Sequence, residues 1–234
     1  MSARLLILRP EPGASETATR AAAIGLEVVA APIFTVVALA WQAPDPRRYD
    51  ATLVTSANAI RHGGSQLDRF THLPCFAVGE ASAAAARAAG FEVIATGPSD
   101  GEAVAALIAA NGVSRAFHPC GRDHIPLGGT IDDVPVYAAE PVARLCPPAI
   151  DAIRAGALVA LHSPRAARLF GDLADKAGLP RAGVALVAIS EAAASAAGGG
   201  WKGKAVAPLP RDEALLELAA KLCKNSGAAT SVGG

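Results

Sequence analysis

Short apolar runs alternate with Ala-rich stretches along nearly the whole chain. Leu5-Leu6-Ile7-Leu8 is an uninterrupted apolar run, the pattern of a strand buried on both faces. Residues 14–25 follow with helical spacing and end on Gly25, and residues 27–30 form the next strand, which completes a βαβ unit. The same rhythm predicts strands at 51–55, 75–78, 91–95, 116–118, 134–137, 157–161, 184–189 and 204–207. It predicts helices at 57–67, 80–89, 101–110, 148–154, 164–177, 191–197 and 212–221. Such alternation gives parallel sheets with helices on both faces, and such sheets hold ligands at the carboxyl ends of their strands.

The pattern is duplicated. One block runs strand, Thr55-Ser56-Ala57-Asn58-Ala59, helix, strand, Val78-Gly79-Glu80-Ala81-Ser82, helix, Gly90-Phe91, strand, helix. Roughly 110 residues later come His162-Ser163-Pro164-Arg165-Ala166, Ile189-Ser190-Glu191-Ala192-Ala193 and Gly200-Trp201 in the same order. A shorter unit precedes each block, beginning at Leu8-Arg9-Pro10 in one case and at His118-Pro119-Cys120-Gly121-Arg122 in the other. Two similar α/β domains of about 100 residues each fit this better than one large sheet. The extended stretches 34–40 and 136–143 read as two linker strands, one crossing in each direction. The expected division is therefore residues 1–35 with 141–224 in one domain, 36–140 in the other, and a disordered tail at 225–234.

Composition narrows the class. The chain is 52% hydrophobic, 18% charged and 4% aromatic, with 21 basic and 21 acidic side chains. It is too apolar for disorder and lacks the basic excess of a nucleic-acid binder. The apolar run at its start is too short for a signal peptide or a spanning helix. Its 4 cysteines show no CxxC pairing and read as reduced thiols in a cytoplasmic protein without a membrane partner.

Candidate chemistry gathers where strands end and helices begin. Ser56 with Asn58, Gly79 with Glu80 and Ser82, Gly121 with Arg122, Ser163 with Arg165, and Ser190 all stand at such junctions. Free backbone N–H groups there suit an anion, although serine and asparagine are also ordinary helix caps. Repetition in both halves favours a ligand with several carboxylates or phosphates. Arg9, Arg122, Arg165 and Arg168 lie nearby, as carboxylate partners or solvated surface charges. Tyr137, one of 2 tyrosines, ends a predicted strand beside a linker, where it either packs or offers a weakly acidic hydroxyl. His118, Cys120 and His124 are spaced like metal ligands but lack a fourth partner, so no metal is assigned. His162 has no neighbouring carboxylate in sequence to orient it and reads as structural. Gly198 to Ala205 approaches a P-loop, but Ala205 stands where a hydroxyl is required and the run precedes a strand rather than following one. No GxGxxG follows a strand, and no GxSxG or HExxH occurs.

These pieces, in this order over residues 3–223, resemble the uroporphyrinogen-III synthase family. The matching segments are Leu8-Arg9-Pro10, Thr55 to Ala59, Val78 to Ser82, Pro119 to Asp123, Val136-Tyr137, His162 to Ala166 and Ile189-Ser190, with the end of the chain from Pro208 to Cys223. The resemblance implies two parallel-sheet α/β domains joined by a two-stranded linker, with the active-site cleft between them. It implies cofactor-free closure of hydroxymethylbilane, a linear tetrapyrrole, to uroporphyrinogen III with inversion of ring D, by a protein working as a monomer. It makes Tyr137 the candidate for assisting departure of the terminal hydroxyl. Substrate contacts fall, by the same resemblance, on Arg9, Ser56, Ala57, Asn58, Gly79, Glu80, Ser82, Gly121, Arg122, Ser163, Pro164, Arg165 and Ser190. Two departures stand out: residues 121–133 leave little room for the usual helix, and Ala192-Ala193 replace a frequent threonine pair.

Overall fold

The computed structural model describes residues 4–97 and 101–229. The chain divides into one unit built from Met1–Thr35 and Pro141–Gly234 and a second built from Val36–Glu140. The first unit contains β1 (Arg4–Ile7), α1 (Gly13–Ala23) and β2 (Glu27–Ala30). The chain then runs through β3 (Phe34–Ala38) into β4 (Ala51–Val54), α2 (Ala57–Gly63), β5 (Cys75–Val78), α3 (Gly79–Ala88), β6 (Val93–Gly97), α4 (Gly101–Ala110) and β7 (Ala116–Gly121). It returns along β8 (Ile131–Pro141) to α5 (Pro147–Arg154), β9 (Leu158–Leu161), α6 (Pro164–Lys176), β10 (Ala185–Ala188), α7 (Glu191–Ala196), β11 (Gly203–Val206) and α8 (Asp212–Ala229).

The first unit holds a 5-stranded sheet in the order β11-β10-β9-β1-β2, with every adjacent pair parallel. The sheet is covered on both faces, which is why its inner strands read as continuous apolar runs. Leu5, Ile7, Leu158, Ala160 and Val187 pack with Ala14 and Ala21 of α1 and Leu215, Leu216 and Ala219 of α8. Leu6, Val159, Leu161 and Leu186 alternate to the other face and are as fully buried.

The second unit holds a 6-stranded sheet in the order β3-β8-β7-β4-β5-β6. Apart from β3, its order matches the first unit's strand for strand, so the repeat seen in the sequence is a repeat of topology. Adjacent residues separate cleanly into two cores. Val54, Cys75 and Phe117 join Tyr49, Leu67, Phe70 and Ala86 on one face, while Leu53, Phe76 and Ala116 join Val104 and Ile108 on the other. Phe70 and Phe117 stack with ring centroids 3.9 Å apart and planes 12° off parallel. Trp41 stacks against Phe117 at 6.1 Å, and Tyr49 tilts against it at 5.6 Å. Much of the chain's small aromatic complement is thus spent in one core. Elsewhere alanine predominates and lets helices approach closely.

Three local features differ from the expected pattern or refine it. The helix expected at 57–67 stops at Gly63, because Gly64 turns with φ of 69°. A 3-10 turn over Ser65–Phe70 follows and brings Leu67 and Phe70 into the core, while Trp41 Nε1 donates to the Gly63 carbonyl at 2.8 Å. The final helix runs to Ala229, so residues 225–229 continue it instead of forming an irregular tail; once its apolar face is docked, each added residue gains one helical hydrogen bond. The rest of the expected tail, 230–234, lies outside the described residues. Between β7 and β8 the chain makes only turns. Among the described residues no helix is long and apolar enough to cross a membrane.

Phe117→Ala is expected to destabilise the second unit by about 4 kcal/mol through loss of burial and the cavity left beside Phe70. Urea unfolding followed by Trp41 emission in a Trp201→Phe background measures this; a loss under about 1 kcal/mol would show that the aromatic stack does not hold this core.

Candidate functional site

In a doubly wound parallel sheet the chain leaves in opposite directions from one central pair of strands, and the crevice at their carboxyl ends is where ligands bind. In the second unit that pair is β4 and β7, since β5 and β6 extend one way and β8 the other. Ser56 follows β4 and caps α2, accepting from the Asn58 N–H at 3.2 Å. Ala57 is buried beside it, and the Asn58 side chain accepts from Arg61 at 3.4 Å. At the end of β5, Gly79 turns with φ of 72°; Glu80 pairs with Arg87 at 2.9 Å, and Ser82 is buried within α3.

Gly121 ends β7 opposite Tyr137 in β8. A Cβ at position 121 would stand 2.8 Å from Tyr137 Cζ, so only glycine lets the ring lie where it does. The Arg122 N–H donates to the Tyr137 carbonyl at 2.8 Å, which holds this turn against β8. The Arg122 guanidinium pairs with Glu140 at 2.9 Å and approaches Asp123 at 3.8 Å. His62, which local sequence offered no reason to select, places its ring 6.4 Å from Tyr137. Burial, helped by the charge of Arg61, lowers the His62 pKa and favours its neutral form. Near the same turn, His118, Cys120 and Asp133 bring three possible metal-ligand atoms within 4.8 Å of one another.

In the first unit the central pair is β1 and β9. Ser163 follows β9 and caps α6, accepting from the Ala166 N–H at 3.1 Å, with Pro164 opening the helix. Arg165 lies 4.6 Å above the Phe34 ring. Ser190 caps α7 through the Ala193 N–H at 3.3 Å. Arg9 follows β1, donates to Thr17 at 3.1 Å and lies 3.7 Å from Asp212. Gly13 makes room for it, since a Cβ there would come within 2.8 Å of the guanidinium carbon.

Asp212, the first residue of α8, is the hub of this end. Thr17 donates to it at 2.9 Å, Arg20 at 2.6 and 2.9 Å, and His162 Nε2 at 2.9 Å. The expectation that His162 lacks an orienting carboxylate is therefore corrected: the carboxylate arrives from fifty residues downstream, where no local pattern reveals it. With Nε2 donating, His162 Nδ1 is left buried without a partner. Burial alone would raise the Asp212 pKa, but the hydrogen bonds from His162, Arg20 and Thr17 hold it well below the usual carboxylate range.

The strand ends thus offer backbone N–H groups, serine caps, a tyrosine hydroxyl and paired arginines. Burial pushes the Cys75 and Cys120 thiols up to about 12, so neither is an activated nucleophile. A cavity of about 310 Å³ lies at the opposite, amino-terminal ends of β9 to β11, lined by Leu158, Lys202, Lys204 and Leu222, away from these groups.

A repeated doubly wound α/β fold with polar turns at both switch points has the chemistry that suits anionic small molecules at its strand ends. Comparison with known proteins is more specific. The family model described as uroporphyrinogen-III synthase HemD matches residues 15–217. The fold is similar to that of uroporphyrinogen-III synthetase from Helicobacter pylori 26695, with a TM-score of 0.61 and 15% identity over 94% of this chain and 99% of that one. It is also similar to a mutant uroporphyrinogen III synthase from the extremely thermophilic bacterium Thermus thermophilus, with a TM-score of 0.50 and 15% identity over 96% of this chain and 100% of that one. No curated protein sequence matches the chain. The chain belongs to the uroporphyrinogen-III synthase family.

Because the Asp212 pKa is depressed on folding, its stabilisation is complete above the ordinary carboxylate pKa of about 4 and is lost as pH falls through the folded value. Asp212→Asn is expected to cost about 3 kcal/mol at pH 7, by stranding Arg20 and His162, and less at pH 3. Chemical denaturation at the two pH values measures both; an equal gap at pH 3 and pH 7 would remove the carboxylate's charge as the cause.

Proposed function

We propose that this protein closes hydroxymethylbilane to uroporphyrinogen III with inversion of ring D, a cofactor-free lyase reaction in which water is lost as the macrocycle forms. The observation that carries this reading is the family match, which runs through both units. The chemistry of the strand ends agrees with it. The substrate is a polycarboxylate, and serine-capped helix starts with their N–H groups suit carboxylates in each unit. The bilane can also close without inversion, so the enzyme's task is to fold the chain and exclude the simple closure. That is positioning work, and it calls for shaped binding more than for a strong acid–base pair.

Tyr137 is assigned the hydrogen bond to the departing hydroxyl. Its ring is held by the absence of a side chain at Gly121 and by the Arg122–Tyr137 backbone bond, which fixes the direction of the hydroxyl at little entropic cost. As the hydroxyl leaves, an azafulvene cation forms, attacks the substituted carbon of ring D to give a spiro-pyrrolenine, and fragments and recloses with that ring inverted. Arg122, Ser56 and Gly79 in the second unit, and Arg9, Ser163 and Ser190 in the first, are proposed to take substrate carboxylates directly or through backbone groups. A cytoplasmic location, read from the unpaired cysteines, goes with this assignment.

Incubation with freshly prepared hydroxymethylbilane, followed by oxidation and separation of the uroporphyrin isomers, tests the reading. Isomer III is expected to predominate; accumulation of isomer I alone would leave a binding protein without turnover. Tyr137→Phe is expected to lower kcat about tenfold, the worth of one hydrogen bond to the leaving oxygen, with an unchanged melting temperature. Unchanged kinetics would make the hydroxyl dispensable.

A further inference from the structure

The sequence left His118, Cys120 and His124 without a fourth metal ligand, and the fold brings one. His118 and Asp133 are register partners across β7 and β8, and Cys120, two residues along β7, lies on the same side as His118. His118 Nδ1 is 2.6 Å from Asp133 Oδ1, and His124 Nε2 is 2.9 Å from Asp133 Oδ2. The tautomer of His124 decides what that second contact means. Its Nδ1 lies 2.9 Å from the Gly121 carbonyl, which can only accept, so Nδ1 carries the proton. Its Nε2 faces the same carboxylate that His118 meets; burial alone would raise the Asp133 pKa, but the contacts from His118 and His124 hold it down. Two imidazoles and a thiol thus converge on one carboxylate.

We propose that His118, Cys120, His124 and Asp133 form a four-ligand site for a zinc-like divalent metal, which clamps the β7–β8 turn. The donor set of two imidazoles, a thiolate and a carboxylate suits zinc, and one thiolate with one carboxylate neutralises its charge. Ligand atoms around tetrahedral zinc lie about 3.5 Å apart, so the His118, Cys120 and Asp133 atoms now within 4.8 Å need a small inward movement, and His124, which lies outside that group, a larger one. The outer hydrogen bonds are also suitable. With the metal on Nδ1, His118 Nε2–H donates to Thr55 Oγ1, 2.8 Å away, and His124 Nδ1–H donates to Gly121. The metal displaces the thiol proton of Cys120 to solvent, with no redox change. All four ligands belong to the closed geometry of a structural site, and none is assigned a role in the proposed reaction.

Untagged protein stripped with a chelator and titrated with Co²⁺ is expected to take up one equivalent, with visible bands of four-coordinate cobalt and a near-ultraviolet thiolate-to-cobalt band. Zn²⁺ is expected to abolish both. Cys120→Ser should lose the thiolate band, whereas Cys223→Ser should keep it. His124→Asn, at a partly exposed position, is expected to weaken cobalt binding at least tenfold. Absence of the bands in the native protein, their persistence in Cys120→Ser, or unchanged affinity in His124→Asn would overturn the site. Because the readout is metal uptake, its failure and a failure of the isomer assay are separate results.

Discussion

Each sheet is wound outward from one central pair of parallel strands, β4 with β7 and β1 with β9, and that constraint organises most of the polar detail. At such a pair the two following connections diverge, so the carboxyl ends between them are not roofed by a crossover. Helix starts lie there, and a serine follows β4, β9 and β10 to cap each next helix. The remaining surface of each inner strand is sealed by apolar side chains on both faces. Strand ends are therefore where this fold has polar groups left over for a ligand.

The two units share a strand order but use their central ends differently. In the first, Asp212 draws Arg9, Arg20, Thr17 and His162 into one partly buried network, which ties α1, α8 and the ends of β1 and β9 together. Polar groups in such a network are mutually dependent, because removing one strands the rest. In the second unit Tyr137 lies against a glycine, with its neighbours bound through the backbone. Each copy thus carries a polar lock, Thr55, His118, Asp133 and His124 forming the one in the second unit, and that unit adds an aromatic hydroxyl at its edge.

Much of this was legible in the chain. Buried parallel strands appear as apolar runs, alanine-rich helices carry their serine caps at the expected places, and Gly121 and Tyr137 stood out by position. The break at Gly64 was not legible, because alanine, isoleucine and leucine continue the helical spacing on either side of it and only the backbone angle ends it. Nor were the His162–Asp212, His62–Tyr137 and His118–Asp133 contacts, because each joins residues that a sheet or a distant helix start brings together. Propensity and spacing act over a few residues, whereas these pairs depend on register. Register is set by which apolar faces must be buried, so a local reading sees the donors and misses their acceptors.

The formal net charge of zero also takes on a local meaning. Charges near the strand ends occur as pairs, so the field a polyanion would meet is set by which pairs can reopen. Arg20 is held by Asp212, whose side chain is 11% exposed, while Arg9 lies 3.7 Å from that carboxylate and donates to Thr17. Arg122 and Glu140 are 46% and 44% exposed, and a pair of that kind is worth about 1 kcal/mol or less. Exchanging Glu140 for another carboxylate therefore costs little at Arg122. If the proposed substrate is drawn by a side-chain charge at the second unit's central end, Arg122 can change partners at little cost, and its backbone places it beside the residue assigned to the leaving hydroxyl.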